Sequence, residues 1–161
     1  MSEIELEIEF HLAAIEQQEQ CELKQRMEHA ARWVLQRFQK RSLTASISIV
    51  DDATIQGLNA RHLQHDWPTD VISFAFESGE RVNGEVIASW DTAQRLSQAA
   101  GWSAHDELIL YVLHGLLHLI GLDDQQPEEQ DKMRQAEAEY VRVAGFPGAS
   151  RYLERFGDVS Y

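Results

Sequence analysis

The chain has 161 residues, 43% of them apolar, which bounds it to one domain with a single core. No apolar run reaches about 18 residues, so no membrane-spanning helix is expected, and the acidic start Met1-Ser-Glu-Ile-Glu-Leu-Glu lacks the basic and apolar blocks of a secretory signal. The lone cysteine, Cys21, rules out an internal disulfide and fits a reducing cytoplasm. A formal charge of −13 repels polyanions at long range. That charge is uneven, because Lys24, Arg26, Arg32, Arg37, Lys40 and Arg41 stand against the single acid Glu28. Such a cluster reads either as a solvated helix face or as a local track for phosphates.

Ile4, Leu6, Ile8 and Phe10 alternate with acids, the period of a strand with one buried face. Over residues 16–40, Leu23, Met27, Ala30, Ala31, Val34 and Phe38 recur at helical spacing and predict an amphipathic helix. Ala45–Val50 alternates again as a second strand. Asp51-Asp52 opens a short helix to about His62. A polar turn, His65–Thr69, leads to a third strand, Val71–Phe76, in which Phe74 and Phe76 read as core by alternation. Turns at Ser78-Gly79 and Asn83-Gly84 lead to a fourth short strand, Glu85–Ala88.

The second half reads as helical. Asp91–Ala100 closes at Gly101, and Ser103 caps a helix to about Ile120 that stops at Gly121. Leu108–Ile120 is apolar nearly all round and should be the buried central helix. Pro127-Glu-Glu opens a last helix to about Ala144. These elements predict a single α+β domain over 1–145, with one mixed sheet of about four strands packed with helices. Residues 146–161 read as a short tail.

His114 and His118 lie four apart on the central helix, which puts both imidazoles on one face. Zinc takes neutral nitrogens from such a pair. Gly121 can turn the chain back over that face, and Asp124 is spaced to supply a third ligand. The pattern H-x-x-x-H-x-x-G-x-x-D has a metzincin-like layout with two changes. Gly115 stands where the general-base Glu belongs, and Asp124 where the third His belongs. Three protein ligands leave a position for a water, whose pKa a divalent ion lowers to about 7. A carboxylate ligand makes the site more anionic and open to harder cations than zinc. Without the Glu, a conventional peptidase is not expected. The local acids are Asp123, Glu107 and Asp106; Glu107, seven residues before His114, reads either as a first-turn acid favoured by the helix dipole or, like Asp123, as a partner that could orient an imidazole.

The stretch His114-Gly-Leu-Leu-His-Leu-Ile-Gly-Leu-Asp-Asp124 resembles the H-G-x-L-H-L-x-G-Y-D-H of the YbeY family of bacterial endoribonucleases. Pro68-Thr-Asp-Val-Ile-Ser-Phe74 is similar to the family's P-T-D-V-L-S-F, and Leu58-Asn59, Gly84-Glu-Val86, Glu107, Met133 and Glu137 keep the order. The resemblance spans roughly residues 45–140. It implies a metal-dependent, single-strand-specific endoribonuclease of ribosomal RNA maturation, at the small-subunit 3′ end, and of ribosome quality control. It also implies one divalent metal ion, zinc first, on His114, His118 and Asp124. The implied partners are single-stranded RNA, ribosomal RNA and the ribosome or its assembly factors, in the cytoplasm.

Four positions depart from the family pattern. Asp124 replaces a His, Leu122 a Tyr and Ala75 a Pro, and Leu63 stands where the family carries an arginine for RNA phosphate. Arg61 is a candidate substitute, although two positions on a helix rotate a side chain by about 200°. The cations of 24–41 are others. Thr69, Asp70 and Ser73 are candidate substrate contacts beside the cleft, or an ordinary strand start. Trp67 could stack on an unpaired base. The expected nucleophile is a metal-activated water or a ribose 2′-hydroxyl. The alternatives are an atypical metallohydrolase acting on peptides or amides, and a non-enzymatic assembly factor with a structural metal.

Overall fold

The computed structural model describes residues 3–63, 70–123 and 125–156, without the side chains of 61–63, 155 and 156. Its elements run β1 (Glu3–Phe10), α1 (Gln17–Arg37), β2 (Ser42–Val50), α2 (Asp52–Leu63), β3 (Val71–Ser78), β4 (Arg81–Ser89), α3 (Trp90–Ala100), α4 (Ala104–Leu119), α5 (Pro127–Val143) and a 3-10 helix (Ala149–Phe156). The four strands form one mixed sheet in the order β1-β2-β4-β3. β1 pairs parallel to β2 and β2 parallel to β4, while β3 returns antiparallel along β4 as an edge strand.

The alternation in β1 does what its period requires: the glutamates face solvent, and Ile4, Leu6, Ile8 and Phe10 pack on the main core. Leu43, Ala45, Ile47 and Ile49 of β2 and Val82, Val86 and Ala88 of β4 bury against α1 and α4. Among the described residues the opposite face is covered only in part. There Val50, Ile72 and Ile87 meet Ile55 of α2, with Leu58 and Phe74 half-buried at the margin. α4 buries Leu108, Ile109, Val112, Leu113, Leu116, Leu117 and Leu119, so it is the central helix.

The caps follow the sequence. Asp51 accepts from the Thr54 amide at the start of α2. Ser103 and Asp106 form a reciprocal capping box at α4. Pro127 occupies the first turn of α5.

Two strand readings are corrected. β4 begins at Arg81, so Asn83-Gly84 lies inside it and makes no turn. Glycine is there for close packing: a Cβ on Gly84 would lie 2.5 Å from Leu119 Cδ2 and 2.6 Å from the Phe74 carbonyl oxygen. Phe76 is not core. The β3–β4 register shifts between Ala75 and Glu77, and the bulge leaves Phe76 68% exposed.

The described part of the tail is ordered into the core. The Gly145 amide donates to Arg142 O and the Phe146 amide to Val141 O, which is a Schellman turn with Gly145 at φ +74°. The turn sends the 3-10 helix back along α5, and Phe146 and Tyr152 are buried there.

Candidate metal centre

α4 lies so close to β4 that a glycine is needed on each: Gly115 opposite the Val86 side chain and Gly84 opposite the Leu119 side chain. A Cβ on Gly115 would sit 2.6 Å from Val86 Cγ1, 3.1 Å from Val86 Cγ2 and 3.3 Å from Val71 Cγ2. Gly115 therefore faces the sheet, and the residue before it and the residue three after it present their rings on another side. His114 and His118 meet edge to face, ring centroids 4.7 Å apart, with their Nε2 atoms 3.1 Å from one another. Two ligands at 2.0–2.1 Å from a tetrahedral ion stand about 3.3 Å apart. The pair already converges to that spacing, and its donors suit zinc.

The helix ends as glycine allows. Gly121, at φ +103°, donates to His118 O, and the Leu122 amide donates to Leu117 O, a second Schellman turn. This redirects the chain immediately after His118. Asp123 is half-buried beyond it. Asp124, the expected third ligand, lies outside the described residues, among which no cluster of three metal-binding side chains occurs.

His114 Nδ1 lies 2.8 Å from Glu137 Oε1 of α5. Glu137 is 1% exposed. Burial pushes its carboxyl up, but the hydrogen bond and charge of His114, the Tyr152 hydroxyl and the Arg134 charge outweigh this and hold it below the ordinary range. An ionised carboxylate only accepts, so Nδ1 carries a proton, and whenever His114 is neutral its lone pair is on Nε2, the atom beside His118. Arg134 Nη1 stands 3.4 Å from Glu137 Oε2. The Tyr152 hydroxyl donates to the same oxygen.

The chain belongs to the YbeY endoribonuclease family. The family profile, described as Endoribonuclease YbeY, matches residues 13–145. A relative named Endoribonuclease YbeY from Rhodopirellula baltica is 46% identical over 105 residues, 63% of this chain and 54% of that protein. The match therefore spans about half of that relative's length. One from Salinibacter ruber is 41% identical over 107 residues, 61% of this chain and 68% of its own. One from Chlorobium phaeovibrioides is 32% identical over 130 residues, 81% of this chain and 87% of its own. The fold is that of the solution structure of TM1509 from Thermotoga maritima, with TM-score 0.56 and 19% identity, covering 90% of this chain and 95% of that one.

The remaining candidates are distributed as follows. Val71 touches the Gly115 crossing, so Ser73, two along β3, shares the α4 side of the sheet. Asp70 is exposed at the start of β3, and its carbonyl accepts from the Ser89 amide. Thr69 and Trp67 lie outside the described residues, as does the side chain of Arg61 at the end of α2. Glu107 is fully buried in α4. Three cations of the 24–41 cluster are engaged in ion pairs: Arg26 with Asp106, Arg32 with Glu28 and Arg37 with Glu139.

Sequence reasoning gave no role to Glu137, Arg134 or Tyr152. A signal for Glu137 was present. It stands among Met133, Ala136 and Tyr140, on the apolar face of α5, where an acid must be paired to be buried.

Proposed function

We propose that this chain is a metal-dependent endoribonuclease that cuts single-stranded RNA, acting in the cytoplasm on ribosomal RNA at the small-subunit 3′ end and in ribosome quality control. The observation that carries the reading is the convergence of His114 and His118 through Nε2 at 3.1 Å. The names of the relatives, Endoribonuclease YbeY, support the choice of reaction. His114, His118 and Asp124 hold one divalent ion, zinc first. Such an ion supplies an activated water near neutral pH and offsets charge on a phosphate.

The chain's own residues do the rest. Glu137 holds His114 in the tautomer that offers Nε2. Gly115 leaves no carboxylate beside the first histidine, and its contact with Val86 leaves no space for one. That weighs against peptide hydrolysis by a glutamate base. Asp70, just before β3, and Ser73 within it, together with Thr69 and Arg61, are the proposed contacts to a strand of RNA. The partners are that RNA and the ribosome or its assembly factors.

The test is metal analysis of the purified protein alongside cleavage of single-stranded and duplex RNA, with and without chelator. One divalent ion per chain, chelator-sensitive cleavage and an intact duplex are expected. Full cleavage by the metal-free protein would sink the proposal. Mass spectrometry of the new ends separates attack by water from attack by a 2′-hydroxyl.

A further inference from the structure

Beyond the segment that matches the family profile, Tyr152 reaches the carboxylate that holds His114. Tyr152 is 2% exposed, and its hydroxyl donates to Glu137 Oε2, while Glu137 Oε1 accepts from His114 Nδ1 at 2.8 Å. The two carboxylate oxygens thus have separate tasks, and the line Tyr152–Glu137–His114 links the 3-10 helix to α4. The ring of Tyr152 is held independently of its hydroxyl: it stacks on Trp102 at 6.1 Å and 19°, and Trp102 meets Phe146 edge to face at 5.3 Å. Gly145 and Gly148, both at positive φ, make the turns that bring the 3-10 helix there.

We propose that Tyr152 is a positioning residue for the metal centre, fixing the Glu137 carboxylate so that His114 stays protonated on Nδ1 and presents Nε2 beside His118. Against rotation about the terminal torsion of Glu137, a broad and soft angle, Arg134 Nη1 offers long contacts, 3.5 Å to Oε1 and 3.4 Å to Oε2. The Tyr152 hydroxyl on Oε2 removes that freedom, and with it the alternative in which His114 carries its proton on Nε2 and cannot bind a cation there. The 3-10 helix is then part of the site. The inference rests on the metal reading above for its use, but the tautomer it describes exists without any ion.

The test compares wild type, Tyr152→Phe and Glu137→Gln by two measurements. The first is nitrogen-detected NMR of the histidine rings in chelated protein at about pH 8, where imidazoles are ordinarily neutral. The second is zinc affinity by competition with a chromophoric chelator. Tyr152→Phe removes one oxygen and keeps the stacked ring. Expected are a mixed His114 tautomer and zinc binding weakened about 10–100-fold, the range for loss of a partner behind a ligand, with circular dichroism unchanged. Glu137→Gln should shift both readouts further in the same direction. A single Nδ1–H tautomer and unchanged zinc affinity in Tyr152→Phe would overturn the proposal, and so would loss of the fold, which would make the hydroxyl a packing group. Wild type that binds no zinc but keeps the pure tautomer, with Tyr152→Phe mixed, would overturn the metal reading and leave the brace standing.

Discussion

Gly115 is the position where sequence spelling and packing can be set against each other by one methyl group. Gly→Ala inside a helix ordinarily stabilises by up to about 1 kcal/mol. At Gly57 in α2 a new Cβ would meet nothing within 4 Å, so Gly57→Ala should show that gain. At Gly115 the same Cβ would lie 2.6 Å from Val86 Cγ1, roughly 1 Å inside ordinary carbon contact. Val86 is fully buried and stiff at its branched Cβ, and the obstacle includes a second contact at 3.1 Å, so it cannot swing aside. Overpacking of this kind costs about 1–3 kcal/mol. Gly115→Ala should therefore fall about 1–3 kcal/mol below Gly57→Ala in urea unfolding at constant m-value. Combining Gly115→Ala with Val86→Ala should recover a similar amount as a coupling energy. Gly115→Glu, which would restore the zinc-protease spelling, should fail to fold rather than acquire peptidase activity. Gly115→Ala as stabilising as Gly57→Ala, with no coupling to Val86, would refute the close crossing of α4 and β4.

Two further outcomes follow from the fold. Asp52 accepts from Ser89 and Thr92 hydroxyls and pairs with Arg95; partial burial raises its carboxyl and these bonds lower it by more, so it lies below 3.8 when folded. A depressed carboxylate stabilises the fold above its unfolded pKa and loses that contribution as pH falls through the folded value. Asp52→Asn should thus be less stable than wild type at about pH 7, with the gap closing below 3.8; a gap independent of pH would refute the assignment. Phe76→Ala should change stability by no more than about 0.5 kcal/mol, as exposed sites do. Phe74→Ala, half-buried against α2, should cost part of the roughly 3–5 kcal/mol of a fully buried Phe→Ala, and equal urea midpoints for the two would contradict the bulge.

The elements were legible where local chemistry sets them. The acid–aliphatic period of β1, the Ser103 cap, Gly101, Gly121 and Pro127 each act within a few residues, and each stands where the spacing puts it. The misreadings share one cause. Asn83-Gly84 has turn chemistry, but Gly84 is needed because Leu119 and the Phe74 carbonyl come against it, a contact made only by tertiary packing. Phe76 continues the alternation of Ile72 and Phe74, and a one-residue bulge cancels it. No period in the chain encodes either event.

The site divides along the same line. His114 and His118 are four residues apart, so one helix fixes their separation, and the motif carries that information by itself. Glu137 is 23 residues from His114, and Tyr152 is 15 beyond Glu137; what joins them is the docking of α5 on α4 and the turn at Gly145. Gly115 shows how the two kinds of information interact. Read as a motif letter, it is a missing base. In the fold it is the contact that lets α4 lie against β4, and it directs the histidine pair away from the sheet. The absence of a glutamate is thus fixed by packing before any reaction is considered. That packing leaves no place for a base beside His114, which agrees with the proposed hydrolysis of a phosphodiester, where charge and positioning matter most.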